Sequence, residues 1–352
     1  MKKFQPDYNN IIDAAYNKVP KRYPLYEHTV SPKVISKING IDMLSLYSSG
    51  KLEDKRLFFK EYCRFFCNMG YDAVPWECCI GAAMPGSGSL GGHKPGEIQN
   101  AADFNKYPWD QIQKRYFEMY SQNFDLLREA LPEGMKAVGG VGNGIFECVQ
   151  DVVGYENLCL ISIDDPRLYA DLFSAVGRTN LSIWKKFLEN YADMYAVCRF
   201  GDDLGYKAST MLAPDDIRKH IIPQYTPIVK AVHDCNKPFL LHSCGCIFDV
   251  MDEIISITKI DAKHSNEDVI APFGQWVSRY GSRIGNFGGI DMDVLCSRSV
   301  DEIRKYTLAV LEENCKPQNG GLAFGTGNSI ADYVPADSYL AMIKAVRDFR
   351  GE

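Results

Sequence analysis

Long apolar runs are missing from this sequence. Nowhere in its 352 residues is there the ~18-residue apolar stretch that a membrane helix needs. The opening segment, MKKFQPDYNNIIDAAYNKVPKRYP, has no apolar core behind its two lysines, so it does not read as a secretory signal. Basic blocks are missing too. The net charge is −6, and the lysines and arginines are scattered, which sets nucleic acid aside as a partner. There is no low-complexity segment, no fixed-period repeat and no Pro/Ser-rich linker. The glycines of Gly139-Gly140-Val141-Gly142-Asn143-Gly144 lack the order of a dinucleotide fingerprint, which excludes a nicotinamide site. These absences leave the expectation of a cytoplasmic globular enzyme, long enough to bury a large core.

Thiols are plentiful. Twelve cysteines in a cytosolic chain point to reduced, buried or metal-bound sulfur rather than disulfides. Such usage suits anaerobic metabolism.

The chain alternates helical stretches with short β-rich runs, the pattern of repeated βα units around a parallel sheet. Helices are expected over residues 51–69, 109–131, 166–190, 214–235, 299–314 and 336–349. The fifth opens on a Ser299-to-Glu302 capping box. Strands are expected over 73–76, 136–141, 196–200, 238–241, 260–263, 283–287 and 322–324. Almost every strand runs straight into polar residues. In an α/β fold of the (β/α)8 TIM barrel type, those positions lie at the C-terminal mouth, where active sites form. The expected organisation is a single (β/α)8 barrel over residues 51–352, with residues 1–50 as an N-terminal helical and loop extension covering part of it.

The sharpest chemistry lies in Phe239-Leu240-Leu241-His242-Ser243-Cys244-Gly245. Residues i and i+2 of an extended chain point the same way, so His242 and Cys244 together make half of a zinc site. Gly245 permits a sharp turn after them. The local pattern alone leaves open a buried histidine beside a small apolar cysteine. Gly201-Asp202-Asp203-Leu204-Gly205 puts two carboxylates at a strand end. One is expected to orient a ligand or do acid–base work, against the alternative that one caps a turn and the other is solvated. His264 and Glu267, in His264-Ser265-Asn266-Glu267-Asp268, are candidates for acid–base or substrate roles. Glu77 follows a strand and is a candidate ligand or base. Gly289 and Asp291 suggest either close backbone approach to a ligand or a tight turn. Gly86 to His93 reads as a mobile loop, either a lid or an exposed connector.

PFLLHSCG, with GDDLG upstream and HSNED and GGIDMDVL downstream, resembles the uroporphyrinogen decarboxylase superfamily. The likeness runs from about Tyr71 to the end, including Asn328-Ser329-Ile330, Val334-Pro335 and Tyr339. His-x-Cys after this strand is similar to the zinc-binding, corrinoid-dependent methyltransferases. The resemblance implies zinc held by His242 and Cys244 and a corrinoid (cobalamin) carried on a separate corrinoid protein. It also implies a small methylated substrate or a thiol. Zinc turns a mostly protonated thiol into a thiolate able to attack a methyl group. Those relatives have a later cysteine in a Gly-Cys turn; here the turn reads Gly325-Thr326-Gly327-Asn328. The third ligand is then Cys246, unless the turn at Gly245 aims it away, or a carboxylate among Glu77, Asp202, Asp203 and Glu267, with Glu77 the first choice. The cofactor-facing positions are Gly245, Gly289, Asp291 and Asn328.

Two other readings stand beside methyl transfer. Metal-free uroporphyrinogen decarboxylation needs cations to hold a polycarboxylate, and the arginine-rich RQAGR-like motif of those enzymes is absent, with Arg22 as a candidate remnant. A non-catalytic corrinoid- or metabolite-binding relative would be expected to have lost the ligands that this chain retains. Homodimers are common among such enzymes.

Overall fold

The computed structural model describes residues 4–90 and 94–352. Its centre is a seven-stranded parallel sheet in the order β1-β2-β3-β4-β5-β6-β7. The strands are β1 Ala73–Cys79, β2 Lys136–Gly142, β3 Tyr195–Gly201, β4 Phe239–His242, β5 Ala262–His264, β6 Gly285–Ile290 and β7 Leu322–Thr326. Each falls where the sequence places it, and all seven run one to three residues further toward the mouth. Consecutive parallel order with helices between strands is the α/β pattern of a TIM-like barrel. Seven strands, not eight, are present among the described residues. Beside β7, Leu25 forms a parallel bridge with Phe324, so residues 24–26 lie along that edge without becoming a strand.

Strand alternation sorts the side chains. In β4, Leu240 and His242 share one face; across the register Leu240 pairs with Ala262, and His242 with both Gly201 and His264. A small inner core of Val138, Val197, Leu240, Ala262, Phe287 and Ala323 packs on Ile11, Ala14 and Ala15. These last three come from the helix Asn9–Ala15, so residues from the first fifty complete the inner core. Full burial of each of the larger apolar side chains contributes about 1.5–3 kcal/mol. The larger outer core, between sheet and helices, carries most of the remaining apolar residues.

The helices hold with local adjustments. Val300–Asn314 begins on the expected capping box, with Ser299 and Glu302 bonded reciprocally. The stretch expected as one helix over 214–235 contains a π-helical turn, Ile217–Ile221, before Ile222–Asp234. No helix among the described residues is long and apolar enough to cross a membrane.

Candidate metal-binding site

At the mouth ends of β3, β4 and β5, one layer of inward positions holds Gly201, His242 and His264. Gly201 supplies space: a Cβ there would meet the His242 ring at 3.3 Å and the His28 ring at 3.8 Å. His28, from the N-terminal segment, stacks on His242 with ring centroids 3.8 Å apart.

The protons on these rings follow from their partners. His264 Nε2 lies 2.9 Å from the Thr326 carbonyl, which can only accept, so Nε2 carries the hydrogen. His264 Nδ1 then accepts from His242 Nδ1, 2.7 Å away. That leaves His242 Nε2 with a free lone pair, and it faces Cys244 Sγ at 3.4 Å and Asp203 Oδ1 at 3.6 Å. Both rings stay neutral. Burial is the main cause, pushing His264 down to about 3 and His242 well below its usual range.

Asp203, His242 and Cys244 each aim one donor atom into a common space, all within 4.8 Å of one another. The loop is tied down at both ends: the Cys244 N–H donates to Asp203 Oδ1 at 2.9 Å, and Asn328 Nδ2 donates to Cys244 Sγ at 3.3 Å. Gly245, at φ +82°, brings the backbone against Gly205; a Cβ would lie 2.1 Å from the Gly205 carbonyl carbon. Burial pushes the Cys244 thiol up, and the Asp203 carboxylate beside it pushes the same way. The sulfur therefore holds its proton unless a cation joins it.

Asp202 has a different use. Its carboxylate accepts from the N–H groups of Ile145, Phe146 and Glu147 at 2.8–3.0 Å and from the Tyr225 hydroxyl at 2.5 Å. It caps the helix Ile145–Val153 from another strand, fully buried and fully bonded. Glu77 lies outside the cluster of three. It pairs with the buried Arg199 at 2.7 Å and faces His28 at 3.6 Å. Arg199 also donates to the Tyr26 hydroxyl and the His28 carbonyl.

The remaining positions sort similarly. Asp291 caps the helix Met292–Ser297 and accepts from the Asp268 N–H. Gly289 donates its N–H to Asn266 at 2.8 Å, and a Cβ on Gly288 would strike that same amide at 2.7 Å; Gly288 makes room for Asn266. Glu267 is half-buried, its carboxyl pushed up by burial and then by Asp291, Asp293 and Asp203. Gly88 and Leu90 donate to Asp151, which pins that part of the loop; Gly91, Gly92 and His93 lie outside the described residues. Arg22 pairs with Asp72, just before β1 starts, at the opposite end of the sheet from the mouth.

His28, Glu27 and Tyr26 are not among the residues that the sequence pattern points to. They sit in a segment with no strand pattern. Rarity was the available signal for His28, one of six histidines in the chain.

The uroporphyrinogen decarboxylase family model matches residues 89–349. The chain belongs to that family. Among solved structures it is similar to a methyltransferase from Methanosarcina mazei, at 16% identity over 98% of this chain and 99% of that one, TM-score 0.71. At that identity the likeness is one of fold alone. A B12-independent methionine synthase from Shewanella sp. W3-18-1 aligns at 12% identity over 65% of this chain and 67% of that one, TM-score 0.42. A glycoside hydrolase family 5 enzyme from Prevotella bryantii B14 aligns at 9% over 97% and 98%, TM-score 0.45. Scores that low carry no argument. Comparison with curated proteins gave no match.

Proposed function

We propose that this protein is a zinc-dependent methyltransferase that moves a methyl group between a small substrate and a corrinoid protein or a thiol. The observation that carries the reading is the convergence of Asp203, His242 and Cys244 on one space. One oxygen, one nitrogen and one sulfur donor suit zinc, and three protein ligands leave a position open for substrate. His242 already presents Nε2 as an unprotonated donor, with its other nitrogen fixed by a hydrogen bond, as metal-bound histidines usually have. Asp203 takes the third place, which the related enzymes give to a later cysteine.

When bound, zinc would favour the thiolate form of a substrate thiol or of Cys244 at neutral pH. The chain's own residues supply the rest. His264 fixes the tautomer of His242, Asn328 orients Cys244, and Glu267, with its carboxyl pushed up, suits proton transfer at the mouth. Tyr206, Val269 and Tyr333 stand exposed on the loops after β3, β5 and β7. Exposed apolar side chains on three mouth loops are compatible with docking of a separate corrinoid protein.

Metal-free decarboxylation is the weaker reading. Of the two basic side chains buried near the site, Arg199 is held by Glu77, and Lys263, pushed down to about 7 by burial, is held by the Ser265 carbonyl, so neither is free to hold a polycarboxylate.

The test is methyl transfer from a panel of methylated ethers, amines and thiols to free cob(I)alamin, followed by the absorbance of methylcob(III)alamin. Turnover that chelation abolishes and zinc restores is the expected result. Turnover unchanged by chelation would reject the metal mechanism.

A further inference from the structure

Glu27 is a fully buried carboxyl from the N-terminal segment, on the far side of Thr326 from the candidate ligands. Its partners fix its proton. The Thr326 hydroxyl lies 2.5 Å from the Asn328 carbonyl oxygen and also contacts Glu27 Oε2. That hydroxyl has one hydrogen for two oxygens. The carbonyl can only accept, so Thr326 donates to Asn328, and Glu27 must donate to Thr326. Glu27 Oε1 meanwhile lies 3.2 Å from the Tyr71 hydroxyl, which is 2.7 Å from that of Tyr339. With Glu27 neutral, Oε2 donates to the Thr326 hydroxyl while accepting the Thr326 N–H at 3.3 Å, and each close oxygen pair has a hydrogen between its members. A carboxylate would leave one of the two oxygens facing the Thr326 hydroxyl without a hydrogen between them.

Thr326 therefore reaches both sides of the site. Its carbonyl accepts from His264, which sets His242. Its hydroxyl holds the Asn328 backbone, whose side-chain amide donates to Cys244. We propose that Glu27, as a neutral acid, and Thr326 form a positioning hub that orients His242 and Cys244 together from behind the site. This rests on the metal reading for its purpose but not for its geometry. The turn that lacks the relatives' cysteine thus acts through hydrogen bonds on two ligands rather than as a ligand itself.

The experiment has a metal-free arm and a metal arm, on the full chain. In infrared spectra of metal-free protein at pH 7, the C=O stretch of a neutral carboxylic acid should be present and vanish in Glu27→Gln. In Thr326→Val that band should shift as the acid loses its acceptor. The S–H stretch assigned to Cys244 by Cys244→Ser should shift in Thr326→Val and in Asn328→Leu. In the metal arm, zinc affinity by chelator competition should fall about 10- to 100-fold in both Thr326→Val and Asn328→Leu. The cobalt-substituted protein should show altered thiolate charge-transfer bands in the same two variants. Should Thr326→Val not fold, Asn328→Leu decides the metal arm and Glu27→Gln the proton. A missing acid band in wild type overturns the proposal, as do wild-type S–H bands, zinc affinity and cobalt spectra in Asn328→Leu. A wild type that takes up no zinc would sink the metal reading alone, and the two infrared bands would still decide the hub.

Discussion

Two charged groupings sit at the mouth of this sheet, and they are built on different principles. One is Glu77 with Arg199. The arginine is fully buried, its charge is matched at 2.7 Å, and it donates further to Tyr26 and the His28 carbonyl. The other is Asp203 with His242 and Cys244, where a carboxylate faces a thiol and a neutral imidazole. The first is complete within the chain. The second collects electron-pair donors that no lysine or arginine among the described residues pairs with directly, the nearby buried Lys263 donating to the Ser265 carbonyl instead. An unpaired set of donors is what a metal site requires and a structural ion pair avoids. Asp202 and Asp203 show the same division within two residues. Asp202 is 0% exposed with four donors on it, whereas the Asp203 side chain is 45% exposed and faces His242 and Cys244.

Substitutions can break that contrast in order of expected effect. Glu77→Ala should cost about 3–5 kcal/mol, because it strands a buried guanidinium; urea unfolding measures it, and a loss under about 1 kcal/mol would mean the pair is not structural. Asp202→Ala should cost about 2–4 kcal/mol, since three N–H groups and a buried hydroxyl lose their acceptor. Asp203→Asn should leave unfolding nearly unchanged but weaken zinc about 10- to 100-fold, or about 1.4–2.7 kcal/mol. If Asp202→Ala were to affect zinc and not stability, with Asp203→Asn doing the reverse, the two roles would be interchanged.

Stability against pH probes the neutral acid behind the site. Burial pushes Glu27 up to about 8 from 4.5. Between those values the folded chain holds a proton that the unfolded chain has released, so stability falls as pH rises through that window, by at most about 1.4 kcal/mol per pH unit. Glu27→Gln should remove that slope; an unchanged slope would mean the carboxyl is ionised in the fold. The smallest effect is expected at Glu267, half-buried with its carboxyl near the mouth: Glu267→Gln should move stability by no more than about 0.5 kcal/mol, so a lower kcat in that variant would report on chemistry rather than folding.

How much of this was legible follows from where the information lay. All seven strands could be read because each is a short apolar run ending in polar residues. His242 and Cys244 could be read because i and i+2 on a strand share a face. The strand end at Gly201-Asp202-Asp203 indicated at least one carboxylate for the site, but not which, because both follow the same strand and only the partners they meet in the fold, the Ile145–Glu147 N–H groups for Asp202, tell them apart. Glu77 looked like a ligand because its partner Arg199 hides inside the apolar strand run Tyr195–Gly201. His28 and Glu27 come from a segment held to β7 by a bridge, which leaves no periodicity to read. Thr326 sets His264 through a backbone carbonyl, and no side-chain pattern encodes that.

The central claim is that the Asp203, His242 and Cys244 grouping holds a metal. The most direct measurement is the zinc content of protein purified without oxygen or chelator, for wild type, His242→Ala and Cys244→Ser. About one zinc per wild-type chain, lost in both variants, is the predicted result. A wild-type chain that holds no zinc even when zinc is supplied would contradict it.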